Sequence, residues 1–320
     1  MARQTEPGID HALVPRMGIS RDGQPLSYNR LAAADLRPWV GWLYATKVDA
    51  PADYELSCSL LNDTSMIRIQ LSGDWTAETR DGTLNHGRAG LYFGPQSKAM
   101  PVQVRGSFIS VGMALKPGVG HALFGMKLSE YVDRIVPGSD VGLPVDALLA
   151  ALDPTATPEA WLQTLEAATR AFLAGIAAKE PDPVAIAFEY VALTEPTITV
   201  AEFARKYGIS TRQLERICLR DFGLAPKQVL RRARALDMAS ALRGVADNDE
   251  AAELELRYHD QSHMNREFTE LFGMTPRQFV ETPQPLMTLA LESRQSRRLA
   301  VLDRLPPGQR RPWQQEDWIG

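Results

Sequence analysis

Cysteine is scarce in this chain of 320 residues: Cys58 and Cys218 are the only two, far apart and each inside an apolar or alternating stretch. That argues against a disulfide framework or a thiolate metal site and leaves both as small buried hydrophobes. No window approaches eighteen uninterrupted apolar residues, and the opening "MARQTEPGID" lacks the apolar core of an export signal. Neither a membrane span nor export is therefore expected, and the expected compartment is the cytoplasm. Histidine is sparse as well. Around His86 the text reads "LNHGRAGLYFGP", without the further His and Glu that a barrel metal site needs, so no metal and no cofactor is expected. Ser-His-Asp, Walker-type and dinucleotide-type glycine signatures are also missing, which leaves no catalytic residues and a reading as a non-enzyme.

What is present points to two units, because 320 residues exceed the comfortable size of one core. Charge is unevenly written. Residues 197–243 hold ten bases against four acids, whereas residues 244–283 hold three against nine. The first third reads as strands: "YELSCSL" from Tyr54, "MIRIQL" from Met66, "GLYFGP" from Gly90 and "FISVGMAL" from Phe108, separated by turn-forming clusters. This suggests a small antiparallel barrel or sandwich with a helical appendage from about Pro117, including a helix opened by Thr157 and Pro158. "KEPDP" at 179–183 reads as a hinge, and beyond it the spacing predicts helices at 184–194, 199–206, 210–221, 226–243, 250–256, 260–271 and 276–281. The class is thus α+β, with strands first and an all-helical unit after.

The helical unit repeats a phrase. "DFGLAPKQVL" at 221–230 returns as "LFGMTPRQFV" at 271–280. Capping boxes are spelled by Thr199 with Glu202, Ser210 with Gln213, and Thr275 with Gln278. Within "TVAEFARKYGISTRQLERICLRDFG", small Ala204 permits a close crossing, Gly208 suits a left-handed turn, and Ser210 caps a second helix: a helix-turn-helix. Leu214, Ile217 and Cys218 then face inward, and Thr211, Arg212, Glu215, Arg216 and Leu219 outward. "DQSHMNREFTELFG" restates that second helix, and the intervening helix, about 27 Å long at ~1.5 Å per residue, spaces the copies.

These residues resemble the DNA-binding domain of the AraC/XylS family of bacterial regulators, most specifically through "YHDQSHMNREFTELFGMTPRQF" at 258–279. The resemblance implies a double helix-turn-helix over 184–283 that reads adjacent major-groove segments of double-stranded DNA, with an N-terminal domain over 1–183 that binds a small-molecule effector or forms a homodimer. It implies DNA contacts from Ser210, Thr211, Arg212, Glu215 and Arg216 in the first unit, and from Gln261, Ser262, His263, Asn265 and Arg266 in the second. Arg231 and Arg232, near the start of the connecting helix, are added as DNA contacts, the alternative being bases carried for solubility. The chain departs from the pattern at Glu253 and Arg257, where a small residue and a glycine belong, so the first unit is expected to supply most of the affinity.

In the N-terminal unit, which is expected to be cupin-like, Trp42, Trp75, Tyr92 and Phe108 are the aromatic candidates to line an effector pocket. The Arg- and Pro-rich segment 284–320 reads as a mobile tail. A second reading is a cupin-like enzyme or small-molecule-binding protein whose helical domain has lost DNA affinity, which the acidic second unit favours.

Overall fold

A computed structural model of the chain describes residues 27–246 and 261–304. Eight strands come first: β1 Ser27–Arg30, β2 Val40–Val48, β3 Glu55–Leu60, β4 Met66–Thr79, β5 Gly82–His86, β6 Ala89–Phe93, β7 Met100–Leu115 and β8 Ile135–Pro137. They form one antiparallel sheet in the order β1-β2-β7-β4-β6-β8, with β3 added on β7 and β5 on β4. All four segments read as strands from their alternation coincide with β3, β4, β6 and β7.

The two long strands organise the sheet. β4 and β7 pair from Met66↔Ala114 to Ala77↔Val102, and their register slips on either side of Ser72. At the slip Gly73 takes φ +104°, and a Cβ there would lie 2.6 Å from the Cβ of Phe108, so only glycine fits the bend. Each long strand consequently serves two neighbours on its far side. β4 gives its first half to β6 and its second to β5, while β7 gives its first half to β3 and its second to β2.

Pleating then separates two faces. Ile67, Ile69 and Leu71 of β4 join Val111 and Met113 of β7 and Leu43 of β2 on one face. That face is covered by α3 (Pro158–Gly175) through Trp161, Leu162 and Leu165, each 1% exposed or less, with α1 (Val119–Phe124) and α2 (Val145–Ala151) beside it. Burial of such side chains contributes roughly 1.5–3 kcal/mol each. Arg30 pins α3 to β1, its buried guanidinium lying 2.9 Å from Glu159 and 2.8 Å from Glu166. The predicted cap at Thr157 forms, accepting a hydrogen bond from the Ala160 amide.

Beyond the sheet come α4 Pro183–Thr194, α5 Val200–Lys206, α6 Thr211–Asp221, α7 Pro226–Leu242, α8 Gln261–Phe272, α9 Pro276–Glu281 and α10 Pro285–Val301. All but the last lie within two residues of the helices read from spacing; the one expected at 250–256 falls outside the described residues. Asp182, inside the expected hinge, caps α4 and also sits 2.7 Å from Arg220 of α6. Both cysteines are buried free thiols, as expected, and burial pushes the Cys58 thiol up to about 11.

Residues 285–301 correct the expectation of a mobile tail. They form α10, whose Leu286, Met287, Leu291 and Leu299 are buried. Arg294, Arg297 and Arg298 are buried too, so the arginines that suggested a solvated tail are structural. Arg294 is bound to Asp237 of α7 and lies 3.2 Å from Asp63; Arg297 lies 2.5 Å from Asp63 and 3.4 Å from Glu189 of α4. Burial alone would raise the Asp63 carboxyl, but Arg297, Arg294 and Arg232 together hold it below the ordinary carboxylate value. This network joins sheet, α4, α7 and α10 through charges that are costly to separate once buried.

Candidate nucleic-acid interface and effector cleft

The first helix-turn-helix is built by local chemistry. Thr199 and Glu202 form the reciprocal capping box that opens α5, and the Ser210 hydroxyl accepts a hydrogen bond from the Gln213 amide to open α6. Between them Gly208 takes φ +65°, which lets the Ile209 amide reach back to the Ala204 carbonyl at 3.0 Å and close the turn. Ala204 is 3% exposed, small enough for α5 and α6 to cross closely. Phe203 is held between Phe188 and Tyr207, with ring centroids at 4.8 and 4.3 Å.

This frame fixes the direction of α6. Leu214, Ile217 and Cys218 enter a core with Phe188, Phe203, Phe222 and Leu230, while Ser210, Thr211, Arg212, Glu215, Arg216 and Leu219 are exposed. Arg212 and Arg216 stand one turn apart on that face, with no carboxylate within ion-pair distance among the described residues. Two guanidinium groups on one exposed strip suit guanine edges and phosphates.

The second unit presents a similar face on a different support. Phe268, Leu271 and Phe272 of α8 turn inward, the two rings packing with Phe279 of α9, while Ser262, Asn265 and Arg266 are exposed. The Arg266 Nε donates to the Ser262 carbonyl at 3.1 Å, which holds the guanidinium along the helix. Thr275 and Gln278 form the expected capping box at the start of α9. Asp260, Glu253 and Arg257, and the side chains of Gln261 and His263, lie outside the described residues.

Of the two arginines of the connecting helix expected at DNA, Arg232 is buried and Arg231 is engaged by carboxylates. Arg232 is 2% exposed and points into the protein, donating to the carbonyls of Gln96 and Asp63 at 2.6 Å each. It therefore joins α7 to the sheet and cannot reach DNA. Arg231 is bound to Glu270 and lies 3.4 Å from Glu267, both on α8, with Arg234 also 3.2 Å from Glu267. Arg231 and Arg234 brace the two units against each other, their charge taken up by the acids of α8.

A cleft opens on the face of the sheet opposite α3. Trp42, Trp75 and Phe108 line it, joined by Tyr44, Met66 and Arg68 from the sheet and by Leu286, Leu289, Ala290 and Ser293 from α10. It holds about 680 Å³ of non-atom space, part of it open to solvent. Tyr92 does not belong to it. In β6 the pleat sends Tyr92 to the α3 side, where its ring meets Tyr131 at 5.9 Å, while Leu91 and Phe93 face the other way. The residues that sequence reasoning missed here are Arg68 and the apolar side of α10.

Residues 203–282 match a protein family described as a helix-turn-helix domain. The chain carries an AraC-type helix-turn-helix domain. It is a DNA-binding regulator of transcription, with an antiparallel sheet domain ahead of the helices. No curated protein sequence matches the chain. Among solved structures it is similar to an apo form of ToxT from Vibrio cholerae carrying one lysine-to-alanine substitution, at 10% identity and TM-score 0.42, over 75% of this chain and 97% of that one. Wild-type ToxT from the same organism with an unsaturated fatty acid bound aligns at 9% identity and TM-score 0.41, over 74% of this chain and 94% of that one. The AraC-like transcriptional activator CuxR aligns at 16% identity and TM-score 0.26, over 66% of this chain and 85% of that one. Among the described residues no helix is long and apolar enough to cross a membrane.

Proposed function

We propose that this AraC-type regulator acts by binding alone, reading DNA chiefly with α6 and using the sheet cleft to sense a small effector. In this reading Ser210, at the helix start, meets a phosphate, and Thr211, Arg212, Glu215 and Arg216 meet base edges. Ser262, Asn265 and Arg266 of α8 form the second reading strip. The observation that carries this reading is the exposed couple Arg212 and Arg216, without an ion-pair partner among the described residues, on a helix whose other side is buried. Such a helix is held rigidly while its cations remain available, which is what a major-groove reader requires.

Trp42, Trp75 and Phe108 supply the flat walls of the effector cleft, and α10 connects the cleft to α7 through Arg294 and Asp237. Titration of the full chain onto duplex DNA from upstream of its own gene, across a series of salt concentrations, tests the reading. Binding should fall steeply as salt rises, with a log–log slope reporting several neutralised phosphates. The second reading, a helical domain without DNA affinity, predicts no specific complex even at the lowest salt.

A further inference from the structure

A second cavity lies on the other face of the sheet, beneath α3. It holds about 500 Å³ of non-atom space, part of it open to solvent, between Ile67, Met113 and Leu115 of the sheet and Ala168, Phe172 and Leu173 of α3. α1 closes one side with Val119, Leu123 and Phe124, and the rings of Phe124 and Phe172 stack at 5.4 Å across the join. Unlike the cleft, this lining carries no charged side chain. Only Trp39 and Thr169 bring a side-chain N–H or O–H to it, and both are engaged elsewhere. The Trp39 Nε1 donates to the Lys179 carbonyl at 2.9 Å, and the Thr169 hydroxyl to the Leu165 carbonyl at 2.7 Å. An ion or a sugar entering here would give up its hydration and find no side-chain partner in exchange. A neutral hydrocarbon meets no such cost and gains dispersion contacts from every wall.

We infer that this cavity is a ligand site separate from the cleft, for a small neutral molecule of one apolar ring, and that α1 relays its occupancy to α6. Apolar cavities of roughly 150 Å³ take up benzene, so a single ring with a short alkyl chain fits the space here. α1 stands between the cavity and the first helix-turn-helix. Its inner side chains line the cavity, while the Gly118 amide just ahead of it donates to the carbonyl of Asp221, the last residue of α6, at 3.2 Å. Gly118 takes φ +85°, and a Cβ there would lie 3.3 Å from the Asp221 carboxyl carbon, so the two segments meet with no side chain to cushion them. Asp221 is 2% exposed and bound by Arg220, which fixes this end of α6. A ring wedged beside Leu123 and Phe172 therefore acts on α1 and, through it, on the end of the helix proposed to read DNA. The site does not depend on that reading of α6; only its effect on DNA binding does.

Calorimetric titration of the full chain with toluene and propylbenzene tests the site, with 4-propylbenzoate as the charged counterpart. Saturable binding of both hydrocarbons should persist in Ala290→Trp, which fills the cleft from α10, and should be lost in Ala168→Phe, which fills the cavity from α3. In Ala290→Trp, propylbenzene should bind about tenfold or more tighter than 4-propylbenzoate, because the carboxylate has no partner in the cavity. Circular dichroism checks that each variant is folded; if Ala168→Phe is not, Leu123→Trp, at a half-buried position of α1, takes its place. Hydrogen exchange should show propylbenzene slowing residues 117–124 and 217–223, and polarisation with duplex DNA should show affinity changed by about fivefold or more. No binding of either hydrocarbon up to its aqueous solubility, binding lost in Ala290→Trp, or binding of 4-propylbenzoate as tight as propylbenzene overturns the site. Unchanged exchange at 217–223, or an unchanged affinity for DNA, overturns the relay. If the chain binds no DNA at any salt, the reading of α6 is what fails, and the titration and exchange results decide the inference without it.

Discussion

The two recognition helices share a sequence pattern but not a foundation. α6 rests on a core drawn largely from α4, α5 and α7, with Phe188, Phe203, Ile217 and Phe222 at its centre. α8 rests on a core that runs without a break from Phe268, Phe272 and Phe279 into Leu56, Val102, Val104 and Phe108 of the sheet. The Ala99 amide, in the loop before β7, donates to the Leu271 carbonyl at 2.7 Å, and Gln284 and Met287 accept from the backbone amides of Ser59 and Leu61. The first unit therefore has a core of its own, joined to the N-terminal domain by contacts such as the Gly118 amide to the Asp221 carbonyl and Arg232 to Gln96 and Asp63, whereas the second shares its core with the sheet. Duplicated sequence thus does not mean duplicated support: one copy packs mainly on its own helices and the other on the sheet.

The buried charge network offers the largest way to break that contrast. Arg294→Ala leaves Asp237 and Asp63 under-paired in the interior and should lower stability by about 3–5 kcal/mol in denaturant melts. Hydrogen exchange on the same variant should show protection lost in 261–281 and in β3, while 200–233 stays protected. Equal loss in both units would mean that the two cores do not open separately.

Acid sharpens the comparison next. The Asp63 carboxyl is held below its ordinary value of 3.8, so its contribution is fully present above that value and disappears as pH falls through the lower folded value. Asp63→Asn at neutral pH should reproduce the acid effect on exchange in α8 and leave α6 unchanged. The smallest effect concerns the caps. Ser210→Ala and Thr275→Ala should each cost about 1 kcal/mol in thermal melts, but only Ser210→Ala should also weaken DNA binding, since it alone sits at the start of a reading helix.

Much of the helical unit is legible in the sequence because its punctuation is local. Thr199 with Glu202, Gly208 and Ser210 act within a few residues of themselves, and the inward set Leu214, Ile217 and Cys218 follows from helical spacing alone. The sheet segments are legible for a related reason, since Ile67, Ile69 and Leu71 alternate with polar neighbours. What that alternation hides is where the polar side faces: Arg68 and Gln70 look into the protein rather than into water. One step of the same pleat is enough to put Tyr92 on the wrong side of the sheet. Arg231 and Arg232 show the other limit, because a run of bases on a long helix does not say which side meets another element. Arg-rich composition masks the helix at 285–301, although Leu286, Met287, Leu291 and Leu299 already carry helical spacing.

The account depends most on α6 being the principal reader of DNA. Fluorescence polarisation with a duplex from upstream of the gene should show Arg212→Ala with Arg216→Ala weakening binding by roughly 2–4 kcal/mol, on the order of 30- to 1,000-fold. Asn265→Ala with Arg266→Ala should cost less than about tenfold under the same salt. Comparable losses from the two pairs, or a larger loss from the α8 pair, would contradict it.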